Sequence, residues 1–236
     1  MSNLRTGTYG EYYGSYWGES APLTATQQDK NGLYIYSALI DAGWSAEAIS
    51  GMLGNMVYES SLNPGRWEGD SVGSGPGYSL VQWTPYTNYT DWCAQQGLSD
   101  PSEMDNALAR ILYELDNGLQ YFPTDNYPLT FREFTKSTGS PYDLACAFAW
   151  NYERSAVVLW GANSKAEADT LTEAEKEANR ERLRLQRGAS AEAWYTYLTG
   201  QTPTPPDPGG GGGTTTKRKS GFNFLLFGRR NRRFTL

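Results

Sequence analysis

The chain of 236 residues contains no histidine. This absence excludes a Ser-His-Asp or Cys-His catalytic mechanism and every His-ligated zinc site. It thereby removes the amidase and metallopeptidase chemistries that histidine usually supports. The sequence predicts neither a metal site nor a cofactor.

Cysteine and long apolar runs are also scarce. Cys93 in DWCAQQ and Cys146 in LACAFAW have flanks typical of helical core, which predicts buried thiols; a disulfide or a reactive role is the alternative. No apolar run approaches the ~20 residues of a membrane-spanning helix, and no basic segment followed by an apolar one opens the chain. We therefore expect a soluble protein without a secretion signal of its own.

Aromatic residues and acidic charge are plentiful. The 8 Trp and 17 Tyr combine large apolar faces with polar edges, which suits a carbohydrate groove or a protein interface. The formal charge of -6 is unevenly spread: from Lys217 onward there are seven basic residues and no acid, which leaves 13 basic and 26 acidic residues before it. The body of the protein is acidic, so a nucleic-acid-binding body is disfavoured.

The composition along the chain divides it into four segments. Residues 1–27 are rich in Gly and Tyr and predict an extended arm, and residues 28–200 have enough apolar content for one core. Residues 201–216 form a Pro-rich and then Gly-rich linker, and residues 217–236 form a basic tail around an apolar FNFLLF stretch.

Helical periodicity dominates the body. Residues 28–44 carry a stripe through Leu33, Ile35, Leu39 and Ile40, and Ser45 is the expected N-cap of a second helix that ends near Ser60. Further helices are predicted over residues 102–118, 140–153 and 172–188, and a strand is predicted over residues 78–84 (YSLVQWT). The predicted class is α+β, mostly α, with a small β-hairpin region after the second helix.

One acidic residue of the second helix stands out. Glu59 follows the apolar run Met56–Tyr58 at the predicted helix C-terminus. Burial and the negative end of the helix dipole both favour the protonated carboxyl, which is the form needed in a proton donor. Periodicity alone leaves open that Glu59 is an ordinary solvated residue.

Four segments together resemble the phage tail lysozyme domain: GWSAEAISGMLGNMVYESSLNPGRWE, GSGPGYSLVQWTPYTNYTDWC, FAWNYERSAV and EAWYTYL. The resemblance runs from about Lys30 to Leu198 and implies a lysozyme-like fold. It implies that Glu59 is the general acid and that Gly75–Thr84 lines the sugar site, with Tyr78 at a variable position and with Gln82 and Trp83 as the polar and aromatic contacts. Ser155 replaces the proline that follows Asn-x-Glu-Arg in the family.

The residue that cooperates with Glu59 is left open. Glu68 and Asp70 follow the turn after Glu59, and either could be a nucleophile, an electrostatic stabiliser, a water-activating base or a solvated loop charge. An internal ion pair is expected between Glu153 and its neighbour Arg154. The remaining candidates stack on sugars or belong to the core, and they are Trp67, Trp83 and Tyr152.

The resemblance implies a virion-associated peptidoglycan hydrolase at the phage tail tip or knob, acting on the glycan strand of the cell wall during DNA delivery. A lytic transglycosylase and a structural tail-tip or plug protein with an inactive, glycan-binding domain are the alternatives. We expect residues 201–236 to tether the protein to other tail proteins; their basic and Phe-rich composition also suits contact with DNA or a bacterial membrane.

Overall fold

The structure, a computed structural model, describes residues 2–202. Its strands and helices are β1 (Asn3–Gly7), β2 (Gly10–Gly14), α1 (Ala25–Asp41), α2 (Ala46–Glu59), α3 (Thr87–Gln95), α4 (Met104–Asn117), α5 (Phe131–Lys136), α6 (Pro141–Phe148), α7 (Ala156–Trp160), α8 (Lys165–Ala168) and α9 (Glu173–Thr199). A short 3-10 turn covers Glu68–Asp70, and a π-helical turn, Ala149–Glu153, extends α6. The predicted class, α+β and mostly α, is confirmed.

Helix α2 lies at the centre of the body, where it packs against α6 and α9. Its predicted N-cap is present, because the Ser45 hydroxyl accepts a hydrogen bond from the Ala48 amide. Two glycines allow the close packing: a Cβ at Gly51 would lie 2.9 Å from Leu144 of α6, and one at Gly54 would lie 2.8 Å from the Arg187 carbonyl of α9. The helix is therefore surrounded by protein over most of its length.

The first residues form an antiparallel β-hairpin, β1 paired with β2, within the segment predicted as an extended arm. The hairpin packs on α1 and is held at the start of α4. There the buried Arg5 guanidinium bonds to Asp100 at 2.8 Å and also pairs with Glu103. Helix α1 begins at Ala25 because the Thr24 side chain and Gln27 form a capping box.

The predicted strand over residues 78–84 is wrong. Tyr78 forms isolated β-bridges to Trp67 and Trp83, and the residues between Tyr78 and Trp83 form turns. Ser79 and Gln82 have positive φ, 73° and 53°, which is incompatible with a continuous strand. The β-hairpin of the fold thus lies at the start of the chain, and the region after α2 is a compact loop.

The predicted end of the last helix at Gly188 is also wrong, because α9 continues to Thr199. Gly188 has helical neighbours on both sides, and a Cβ there would lie 2.0 Å from the Tyr142 ring of α6. The glycine is explained by close packing rather than by a C-cap. The cap is Gly200, whose φ of 69° is left-handed.

Other predictions have mixed outcomes. Cys93 and Cys146 are buried free thiols, as predicted, but Leu33 and Ile40 of the α1 stripe are exposed. In the part of the chain that the structure describes, no helix combines the length and the apolar character needed to cross a membrane. Most of the predicted linker, from residue 203, and the whole predicted tail lie outside the described residues.

Candidate active site

A cleft of about 680 Å³ opens where the end of α2 meets the loop that follows it and the turn after α6. Three carboxylates from these three segments line it: Glu59, Glu68 and Glu153. The volume is within the range of small-ligand sites in proteins. Acids from three segments of the chain are thus brought to one concave surface.

Glu59 is the last residue of α2 and lies partly exposed in this cleft, with 23% of its side chain accessible. Its Oε1 accepts a hydrogen bond from Nη2 of Arg187, on α9, at 2.7 Å. Burial raises the pKa of Glu59, the charge of Glu68 adds to the rise, and Arg187 opposes it. The balance is a raised pKa, in the direction that the sequence analysis predicts for a proton donor.

The two candidate second carboxylates lie in different places. Glu68 lines the cleft, and its Oε2 lies 2.8 Å from where a Cβ on Gly77 would be. Asp70 is exposed, forms an ion pair with Arg66 at 3.1 Å and accepts a hydrogen bond from Ser20 at 2.8 Å. The structure brings Glu68, but not Asp70, to the same cleft as Glu59.

The predicted polar and aromatic contacts, Gln82 and Trp83, both line the cleft. The Gln82 amide donates to the carbonyls of Arg66 and Ser79, which supports its left-handed backbone. Trp83 is mostly buried, and its Nε1 donates to a carboxylate oxygen of Glu114 at 2.9 Å. Trp83 therefore forms a fixed wall of the cleft.

The other aromatic candidates belong to the core. Trp67, Tyr78 and Tyr152 are all at most 1% exposed, and none of them lines the cleft. Trp67 and Tyr78 pack on each other, with their ring centroids 4.7 Å apart, while the Tyr152 hydroxyl donates to Glu114. Of the two alternatives left open for Trp67 and Tyr152, the structure therefore places both in the core, and Tyr78, expected in the segment that lines the sugar site, is a core residue too.

The ion pair expected between Glu153 and Arg154 is absent from the described residues. The Arg154 guanidinium lies instead over the Phe122 ring, 5.2 Å from its centroid. Glu153 lines the cleft instead. Its Oε1 atom is buried and has no hydrogen-bond partner within residues 2–202. Burial and the charge of Glu59 raise the pKa of Glu153 well above its usual range.

Sequence reasoning missed two further residues of the site. Arg187 contacts Glu59 across 128 positions of sequence, and its only local signal is the neighbouring Gly188, which marks close packing. Tyr58 lines the cleft with 46% of its surface exposed, and the Arg187 guanidinium lies 4.3 Å from its ring centroid. Among the described residues that line the cleft, Tyr58 is the more exposed of the two aromatic side chains, the other being Trp83.

The described residues contain no group of three or more acidic or cysteine side chains arranged to hold a metal ion. The carboxyl groups of the cleft, by contrast, lie in different electrostatic environments. One carboxyl with a raised pKa and a second in the same cleft can divide acid and charge-stabilising roles between them.

Comparison with known proteins places this arrangement in a family context. A family model described as phage tail lysozyme matches residues 30–198, which include all three carboxylates of the cleft. Morphogenesis protein 1 of Bacillus phage B103 is 44% identical to the chain over 142 residues. That match covers 60% of this chain and 38% of the length of the relative.

Proposed function

Since the chain belongs to the phage tail lysozyme family, we propose that it hydrolyses the glycan strand of bacterial peptidoglycan, with Glu59 as the proton donor. The fold is lysozyme-like, and the match to a phage morphogenesis protein supports a virion component. The observation that carries the proposal is the placement of Glu59. It is a partly buried carboxyl with a raised pKa, located in a cleft that a second carboxylate shares.

The proposed reaction needs a proton on the leaving glycosidic oxygen while positive charge develops on the sugar ring. Glu59 supplies the proton from its protonated form. Glu68 is the proposed second carboxylate, because it lines the cleft and its charge acts on Glu59. In that role it stabilises the sugar cation, attacks it as a nucleophile or activates a water molecule.

Clearing of purified cell walls by the wild type and by Glu59→Gln tests the acid assignment. Glutamine keeps the shape of the side chain and removes the proton, so we expect the rate to fall by about 10²- to 10⁴-fold. Glu173→Gln is the control, because that side chain is 82% exposed on another helix. Equal clearing by wild type and Glu59→Gln would overturn the assignment.

The same assay separates the two acids of the following loop. Glu68→Gln is expected to reduce the rate strongly, whereas Asp70→Asn loses only a partly exposed ion pair with Arg66 and is expected to retain most of the activity. A larger loss in Asp70→Asn than in Glu68→Gln would contradict the assignment of Glu68. Analysis of the products distinguishes hydrolysis, which gives reducing sugar ends, from transglycosylation, which gives anhydro sugars.

A structural role in the tail is the second candidate, because the similar Bacillus phage protein is named a morphogenesis protein. In that case the lysozyme-like domain binds glycan or packs in the tail without cleaving. Absence of clearing by both the wild type and Glu59→Gln would favour this reading over catalysis.

We also propose that residues 201–236 tether the domain at the tail tip or knob through other tail proteins. The support is compositional: seven basic residues and an apolar FNFLLF stretch follow a Pro-rich and Gly-rich linker. Phage particles assembled with a chain truncated after Gly200 test this, and normal incorporation of the truncated chain would rule out the tether. Binding of the isolated tail segment to DNA or to anionic vesicles tests its other proposed contacts.

A further inference from the structure

Arg187 is held rigidly beside the proposed proton donor. Its side chain is 10% exposed, bonds to Glu59 Oε1 at 2.7 Å and lies against the Tyr58 ring. Its backbone is fixed too, because α9 approaches α2 so closely that a Cβ on Gly54 would lie 2.8 Å from the Arg187 carbonyl oxygen. Both the backbone and the charged group of Arg187 are thus constrained.

A second carboxyl, Glu153, shares the cleft with Glu59. It reaches the cleft from the π-helical turn after α6, and its buried Oε1 has no hydrogen-bond partner among the described residues. The Nη1 of Arg187 is likewise buried without such a partner. The hydrogen bond of the Arg187 guanidinium to a carboxyl of the cleft is therefore the one to Glu59.

We propose that Arg187 is a positioning residue for the proton donor: it orients the Glu59 carboxyl through the bond to one of its two oxygens. This inference rests on the proposed function. The bond from Arg187 goes to Oε1 of Glu59, so the acid proton is carried by Oε2. The oxygen that donates to the glycosidic bond is thereby fixed by a residue that touches no substrate.

The direction of the expected shift follows from the charges that act on Glu59. These are Arg187 from α9 and Glu68 from the loop after α2. Burial and the charge of Glu59 raise the pKa of Glu153 well above its usual range, so Glu59 ionises while Glu153 is still neutral. Removing the positive charge in Arg187→Met therefore raises the pKa of Glu59, whereas Glu153→Gln replaces a neutral group and leaves that pKa in place. Because Glu59 acts in its protonated form, activity falls as pH rises through that pKa. The alkaline limb of the pH profile moves up in Arg187→Met and stays in place in Glu153→Gln.

The experiment measures the pH dependence of kcat/KM on solubilised glycan strands and the titration of Glu59 by ¹³C-carboxyl NMR. We expect an upward shift of the alkaline limb in Arg187→Met but not in Glu153→Gln, and a fall in kcat of about tenfold to a hundredfold in Arg187→Met, since small misplacements of a reacting group are costly. Arg187→Lys keeps the positive charge but lacks the planar guanidinium group. Its pH profile is expected to lie closer to that of wild type than its rate does. Arg184→Met, one turn earlier on α9, removes an ion pair with Glu177 and is the control.

The outcomes separate this inference from the proposed function. An Arg187→Met variant whose pH profile and kcat match those of the Arg184→Met control would overturn the positioning role. Inactive wild-type protein would defeat the proposed function, while the NMR titration, which needs no turnover, still decides whether Arg187 acts on Glu59. Arg187→Lys keeps the test valid if Arg187→Met does not fold.

Discussion

Replacing Gly188 with alanine is expected to destabilise the protein although alanine is the better helix former. Gly188 lies inside α9, where alanine is favoured over glycine by about 1 kcal/mol. However, the new Cβ would lie 2.0 Å from Cδ2 and 2.3 Å from Cε2 of Tyr142, whereas ordinary contact begins at 3.4 Å. Tyr142 is 8% exposed in α6, so its ring has little room to move away.

The magnitude follows from the balance of these two effects. Overpacking of this kind costs about 1–3 kcal/mol, and so severe an overlap belongs at the upper end, which leaves a net loss of about 1–2 kcal/mol after the gain in helix propensity. For a domain of this size that corresponds to a fall in Tm of about 2–8 °C. Thermal unfolding followed by circular dichroism measures it. Gly18→Ala is the control, because nothing lies within 4 Å of its added Cβ.

A double-mutant cycle tests the reasoning itself. In a Tyr142→Ala background the overlap is gone, so Gly188→Ala should there stabilise the protein by about 1 kcal/mol through helix propensity alone. An increase in Tm for Gly188→Ala in the wild-type background would show that propensity outweighs packing and would refute the explanation given for this glycine.

Two further predictions concern buried titratable groups. Burial raises the pKa of the Cys146 thiol to about 12 and also raises the pKa of Cys93. A thiol reagent at pH 8 should therefore label neither residue in the folded protein and both after denaturation. Rapid labelling of the native state would contradict this. Because folding raises the pKa of Glu153, the stability that its protonated carboxyl contributes is complete below the pKa of the unfolded state and is lost as pH rises through the pKa of the folded state. The free energy of unfolding of Glu153→Gln, relative to that of wild type, should therefore be higher at pH 8 than at pH 4. Urea unfolding at the two pH values measures this difference, and an equal effect at both would refute it.

The features predicted correctly from sequence depend on nearby residues. The N-cap at Ser45 and the ends of α2 at Glu59 and of α4 at Asn117, next to Gly118, are all set by side chains or glycines within one turn.

The wrong predictions concern residues whose structure is decided by tertiary contacts rather than by their neighbours in sequence. Gly188 is a typical helix terminator by sequence, but here it makes room for the Tyr142 ring. The residues YSLVQWT have strand-like composition, yet Gln82 adopts left-handed backbone supported by bonds to carbonyls of the same loop. Aromatic residues were the least predictable, because Trp67 and Trp83 have the same chemistry and only the fold decides that Trp83 lines the cleft.

In the candidate site, too, local sequence patterns identify some residues and tertiary packing decides the others. Glu59 could be identified because its helix, its position at the helix end and its motif are contiguous in sequence. Arg187 could not, because it lies in a charged helix in which Arg180 and Arg184 look equivalent and bond to glutamates of the same helix. Only the packing of α9 on α2 shows that Arg187 is the arginine that bonds to Glu59.

That packing links the stability of the fold to the chemistry of the cleft. The seam between α2 and α9 requires Gly54, and it places the Arg187 carbonyl against α2 while the Arg187 side chain bonds to Glu59 five residues farther along the same helix. A displacement of α9 by a fraction of an ångström would lengthen this bond and leave Glu59 with less of the positive charge that opposes its protonation. The protonation of Glu59 therefore depends on backbone packing, and the two glycines near Arg187, Gly54 in space and Gly188 in sequence, contribute to the candidate site without bearing a functional group.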